Sequence, residues 1–396
     1  MKVNVRNSFV NGEIDAIPSK SYVHRILICR YLSGEKIELG DFKSEDMVAT
    51  LNCLNALSNG ESVLDCGESG STLRFMLPLA GVIGGEYEFV GRGKLMKRPN
   101  DALFSAFFDN GVQASQTESI KIKGKLSAGE YRIRGDISSQ YISGLLMALP
   151  TLDGDSKIIL TTELVSAPYI EITLEVLKNF GIKIVKTDYG YFVKGKQKYK
   201  NNGLEPEGDW SNVAFFLALG AINGNVTLRG LRENSVQADR YIHTVLRLAG
   251  ADIVWSGGKL TVKKSKLKAF TFDAEQCPDI VPISAVIASY ADGTSVIKNV
   301  ERLKIKESDR IESTIATLKA FGIFAEYIGK DLVVHGGKPR GGTVDSFNDH
   351  RIVMASAVMA SGAVGDSFIT GAEAVNKSYP TFFEDFARLG GKVIEL

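Results

Sequence analysis

Five times along this chain a helical run stops at a glycine and passes into alternating apolar residues: FSAFFDNGVQA, LEVLKNFGIKI, HTVLRLAGADI, IATLKAFGIFA and FEDFARLGGKV. The glycines are Gly111, Gly181, Gly250, Gly322 and Gly390, about 70 residues apart and well beyond the ~20–50 residues of solenoid repeats. Each copy must therefore be a sizeable supersecondary unit. Gly154, Gly224, Gly293 and Gly365 precede short strand-like runs (SKIIL, NVTLRG, TSVIKNV, DSFITG), and Gly34 and Gly84 extend the series back to KIELG and EYEFVG. Asp136, Asp209, Asp279 and Asp349 each open an apolar helical run, where a carboxylate can cap free amides and oppose the helix dipole. Six units are implied, each reading strand, helix, strand, helix, hairpin, and the alternation of helical and two-residue periods makes the class α/β.

The first unit is short by about 20 residues and the last stops early at GGKVIEL. The N-terminal stretch NVRNSFVNGEIDAI reads as a hairpin turning at Asn11-Gly12, and it could complete the final unit. The expected architecture is two domains of three units each. One spans residues 20–207; the other spans 208–396 with 1–19, and the hinge lies near Ser19 and Gly208.

With 47 Lys+Arg against 46 Asp+Glu, the net charge of +1 creates no global field for nucleic acid or an acidic membrane surface. Affinity for anions must come from a local cluster. The N-terminal residues show no secretory leader, and the weakly charged stretches fall short of the ~20 residues that span a bilayer. Cys29, Cys53, Cys66 and Cys277 make no metal-ligand spacing with the four histidines. Cys29 reads as core. A reduced, cytoplasmic, monomeric protein without metal, nucleic-acid or membrane partner is expected.

Unusual residues fall at two equivalent places in the units. One is the start of the first helix: PSKSYVHR, CGESGSTLR, GDISSQY, CPDIVP and NDHRIV. The other is the loop before the second helix: LMKRPND, LVSAPYI, LKIKESDR and NKSYPTF. These places gather Lys20, Arg25, Arg74, Arg98, Lys306, Arg310, Arg351 and Lys377. Helix N-termini favour anions; Arg suits carboxylate through its planar fork and Lys suits phosphate as a point charge. Collected at one end of each domain, they would line a cleft for a multiply anionic small molecule. Each alone is equally a solvated surface charge, and Asp279, Asp349 and Glu307 are equally plain capping or pairing groups. GESGST does not fit the phosphate-loop pattern.

Taken in order, PSKSxxxR (18–25), GESGSTLR (67–74), KRP (97–99), SSQ (138–140), SxPY (166–169), PD (278–279), KESDR (306–310), DHR (349–351) and KSYP (377–380) resemble the 5-enolpyruvylshikimate-3-phosphate synthase (3-phosphoshikimate 1-carboxyvinyltransferase) family of enolpyruvyl transferases. The resemblance implies an inside-out α/β barrel-like fold of two domains, each from three βαβαββ units. It also implies transfer of the enolpyruvyl group of phosphoenolpyruvate to shikimate 3-phosphate, with release of phosphate and without cofactor or metal. Carried over by position, Ser138, Ser139, Ser166 and Lys306 would hold the shikimate phosphate, Ser21 and Arg25 its carboxylate, and Gln140 and Tyr169 its ring. Arg310 and Arg351 would clamp the phosphoenolpyruvate carboxylate. Its phosphate would meet Lys20, Arg98, Lys377, Gln140 and the backbone of Gly70, with His350 beside them. Asp279 would take the proton of the attacking hydroxyl, Glu307 with Lys306 would move the methylene proton, and Lys20 would stabilise the departing phosphate. Glu68 and Arg302 depart from the family pattern. The competing readings are a UDP-N-acetylglucosamine enolpyruvyl transferase, whose customary loop Cys is missing from LMKRPND, and a non-catalytic binder of phosphorylated metabolites.

Overall fold

Runs such as LRFMLPLAGVI and VAFFLALGAI are apolar all round, so as helices they are stable only in an interior, and there they lie. The computed structural model describes residues 1–396, which divide into a middle unit, Lys20–Pro206, and a terminal unit, Met1–Ser19 with Glu207–Leu396. The middle unit holds helices α1 (Lys20–Ser33), α2 (Glu45–Ser58), α3 (Gly70–Ile83), α4 (Asp101–Phe108), α5 (Ser139–Ala148) and α6 (Ala167–Asn179). The terminal unit holds α7 (Trp210–Asn223), α8 (Ile242–Leu248), α9 (Val281–Ser289), α10 (Arg310–Ala320), α11 (His350–Gly362) and α12 (Phe382–Arg388).

Five repeats carry a four-stranded sheet each. In each, a first strand pairs parallel with a second, and two antiparallel strands are added; in four of the five these two form a hairpin, as in Val63–Asp65, Gly85–Val90, Ile120–Gly124 and Val112–Gln116. The parallel pair needs a crossover, supplied by the buried helix. The sheets face outward with alternating burial and the helices fill the centre, the inside-out arrangement expected. In the middle unit α3 packs on α5 and α5 on α6. A Cβ on Gly144 of α5 would stand 2.5 Å from the Arg74 carbonyl of α3, so these two helices approach closely only because that residue has no side chain.

The first repeat keeps its helices, α1 and α2, but no sheet: KIELG is unpaired because the sequence is too short there to supply a hairpin partner. The N-terminal hairpin does not form either. Strand Lys2–Arg6 enters the last sheet, antiparallel to Ser367–Thr370 and Lys392–Glu395. Strand Val10–Asp15 joins a different sheet, parallel to Gly224–Arg229, with Asn11-Gly12 inside it. Split between two sheets, Val3, Val5, Val10 and Ile14 are all but completely buried, which an isolated two-stranded ribbon could not achieve.

Candidate active site

The buried helices leave few gaps in their burial, and several of those gaps fall in the first turn. In α3 only Ser71 and Ile83 escape burial, in α5 only Gln140, and in α7 only Ser211. The helix N-termini are therefore the open ends, where free amides and dipole favour negative charge.

In the middle unit these ends are wired together by cations. Lys20, first in α1, places Nζ 2.6 Å from Asp46 Oδ2 on α2. Arg25 is buried and donates from Nε to Thr173 Oγ1 at 2.7 Å, from Nη1 to the Ser21 carbonyl at 2.7 Å, and from Nη2 to Ser143 Oγ and the Tyr169 carbonyl. All these partners are neutral, and burial lowers its pKa to about 10. Arg74 donates to Gln140 Oε1 at 2.8 Å, and Gln140 Nε2 donates to Ser71 Oγ at 2.9 Å. Arg98 lies over Gly70: a Cβ there would meet its Nη1 at 2.4 Å. Ser138 caps α5 by accepting from the Gln140 amide. Ser166 opens α6 in the left-handed region at φ 57°, strain of the kind held at functional positions. Glu68 turns its carboxylate toward Gly93, where an added Cβ would meet Oε2 at 2.8 Å.

In the terminal unit a second cluster centres on Asp279. Its Oδ1 accepts from Arg310 Nη1 at 2.9 Å and Lys306 Nζ at 3.3 Å, and its Oδ2 accepts from Arg351 Nη2 at 3.0 Å. Burial pushes this carboxyl upward, but Arg351, Lys306 and Arg310 outweigh it and hold the group far below the usual carboxylate range. Burial lowers the Lys306 ammonium, partly offset by Asp279; Arg302 is near enough to add to the lowering. Arg310 is 1% exposed and surrounded by acids: Nε reaches Asp349 Oδ2 at 2.8 Å and Nη2 reaches Glu307 Oε2 at 2.6 Å. Asp349 caps α11 through the Arg351 amide at 2.9 Å. Lys377 donates to the Asn348 carbonyl at 2.6 Å, and His350 is buried with Nδ1 3.9 Å from Asp349 Oδ1.

A model of the EPSP synthase (3-phosphoshikimate 1-carboxyvinyltransferase) family matches residues 6–386. The chain belongs to the EPSP synthase family. It is 42% identical to the 3-phosphoshikimate 1-carboxyvinyltransferase of Clostridium kluyveri, over 99% of this chain and 98% of the relative. With the enzyme of the same name from Clostridioides difficile it shares 37%, over 98% and 97%. Among solved structures it is similar to the EPSP synthase of Acinetobacter baumannii, with TM-score 0.80 at 24% identity over the full length of both chains. It is also similar to the enolpyruvyl transferase NikO of Streptomyces tendae, with TM-score 0.75 at 13% identity over 99% and 98%.

Two of the expected helix caps are corrected. Asp136 pairs with Arg134, and Ser138 caps α5 in its place. Asp279 caps nothing: it lies in a short 3-10 turn, Pro278–Ile280, whose geometry carries it toward the cations. Three acids and hydroxyls of the clusters escaped sequence reasoning. Asp46 reads as an ordinary first-turn acid behind the Ser44 cap, and nothing in the sequence distinguishes it. Ser211 could have been found by repeat equivalence, since it follows Asp209 by two residues as Arg351 follows Asp349. Asp239 stands in NSVQADRY, in the loop before α8, so repeat equivalence could have pointed to it as well.

Proposed function

We propose that the protein transfers the enolpyruvyl group of phosphoenolpyruvate to the 5-hydroxyl of shikimate 3-phosphate and releases phosphate. The observation that carries this reading is Asp279, a carboxylate held among Lys306, Arg310 and Arg351: a proton acceptor set inside a receptor for anions. Arg351 and Arg310 take the carboxylate of phosphoenolpyruvate. Its phosphate goes to Lys20, Arg98, Lys377, Gln140 and the Gly70 amide, beside His350. Shikimate 3-phosphate is held by Ser138, Ser139, Ser166 and Lys306 at its phosphate and by Ser21 and Arg25 at its carboxylate, with Gln140 and Tyr169 against the ring. The neutral partners of Arg25 support that assignment, because a buried guanidinium without a carboxylate gains most from an incoming one.

In the reaction the 5-oxygen bonds to C2 of phosphoenolpyruvate, its proton passes to Asp279, and C3 gains a proton to become a methyl group. The resulting ketal phosphate returns that methyl proton and expels phosphate as the C2–O bond breaks. Burial makes the Lys306 ammonium a readier proton donor than an ordinary lysine, and Glu307 joins it through Arg310. Held so low by three cations, Asp279 is a weak base in the empty site. When substrate anions draw on Lys306, Arg310 and Arg351, its basicity rises, so the base is sharpened by the complex it serves. The protein acts as a monomer in the cytoplasm; four free, buried cysteines suit a reducing compartment. The test is phosphate release with phosphoenolpyruvate and either shikimate 3-phosphate or UDP-N-acetylglucosamine as acceptor. Turnover with the first alone is expected, and turnover with the sugar nucleotide alone would overturn the reading.

A further inference from the structure

Two hydroxyls lie in the helix core of the middle unit that the reaction does not use. Ser143 of α5 and Thr173 of α6 are completely buried, and a buried hydroxyl is costly unless it is hydrogen-bonded. A valine would fill the space of Thr173 as well, so its hydroxyl has to be explained by its bonds. Thr173 Oγ1 accepts from Arg25 Nε at 2.7 Å and donates to Ser143 Oγ at 2.8 Å, a closer acceptor than the Tyr169 carbonyl at 3.2 Å. Ser143 Oγ also accepts from Arg25 Nη2 at 3.3 Å. Arg25 of α1 therefore meets one hydroxyl from each of the two helices, α5 and α6, on which α1 packs. We propose that Thr173 is a positioning residue which, with Ser143, holds the Arg25 guanidinium so that one Nη1 hydrogen is kept for the carboxylate of shikimate 3-phosphate; this rests on the assignment of Arg25 above.

A guanidinium has five N–H groups. The one on Nε goes to Thr173, both on Nη2 go to Ser143 and to the Tyr169 carbonyl at 3.0 Å, and one on Nη1 goes to the Ser21 carbonyl at 2.7 Å. The second Nη1 hydrogen is left over, on the nitrogen bonded to Ser21. One face of the group is closed by the Phe75 ring of α3, whose centroid is 4.9 Å from the Arg25 central carbon, so tipping away from it forfeits a cation–π contact. With Thr173 Oγ1 removed, Nε loses its acceptor and Ser143 loses its donor. The guanidinium then turns to satisfy Nε elsewhere, and a turn about that end of the side chain carries Nη1 with it. An exposed arginine makes such a turn freely in water, whereas a buried one needs acceptors in each orientation.

Calorimetry of shikimate 3-phosphate binding to T173V, T173S, S143A and R25A, set beside steady-state kinetics, tests the proposal. T173V keeps the shape and removes the hydroxyl; it is expected to weaken binding about tenfold while changing kcat and KM for phosphoenolpyruvate less than threefold. T173S loses a methyl group and keeps the hydroxyl, so it should bind within about twofold of the parent. The opposite order, with T173S the weaker binder, would mark Thr173 as a packing residue and overturn the proposal. If T173V fails to fold, S143A decides: binding about fivefold weaker supports the role of the hydroxyl pair, and unchanged binding overturns it. R25A weakening binding while T173V and S143A leave it unchanged would overturn the role of Thr173 and keep that of Arg25. An R25A variant with unaltered affinity would overturn the assignment of Arg25 itself.

Discussion

At the residue scale, three cations from two sequence segments converge on the two oxygens of Asp279, the proton acceptor proposed above. Asp279→Ala is expected to lose at least about a thousandfold in kcat while calorimetry still detects shikimate 3-phosphate; near-normal turnover would remove it from the mechanism. Asp46 supports Lys20 in the same manner, at 2.6 Å. Asp46→Ala should lower kcat roughly tenfold with little change in melting temperature, and an equal loss of both would mark the pair as structural. Lys20, Asp279 and Lys306 were legible because they recur at marked positions of a repeat. Asp46 was not, because a first-turn acid in the sequence looks alike whether it faces solvent or the Lys20 ammonium.

Two glycines separate packing from function at the scale of elements. A methyl group at Gly144 would meet the Arg74 carbonyl at 2.5 Å and Pro78 Cγ at 3.0 Å, and neither helix backbone can yield without parting α3 from α5. Gly144→Ala should cost about 1–3 kcal/mol, read from urea unfolding. At Gly70 the obstructing atoms are the far end of the Arg98 side chain, which can move. Gly70→Ala should therefore fold normally, raise KM for phosphoenolpyruvate and leave shikimate 3-phosphate binding intact. An unfolded Gly70→Ala variant would show that the α3 terminus is needed for packing and not only for ligand.

For the whole molecule, the chain's first strand closes the last sheet. Deleting Met1–Arg6 uncovers the positions of Val3 and Val5 and leaves Ser367–Thr370 and Lys392–Glu395 without their common partner. A loss on the order of 5 kcal/mol is expected, with the terminal unit unfolding before the middle unit in urea. The sequence by itself determined the repeat, the α/β class and which helices are buried, because these follow from local period and all-round apolarity. It also marked the helix starts that carry Lys20 and Arg351 and the loops before second helices that carry Arg98 and Lys306. Only the tertiary structure decided where Lys2–Arg6 and Val10–Asp15 pair, that KIELG pairs with nothing, and that Asp279 meets cations instead of capping a helix. Strand partners and ion pairs are choices among distant segments, settled by which arrangement buries the most apolar surface and leaves the fewest charges unmatched, and no local pattern records that comparison.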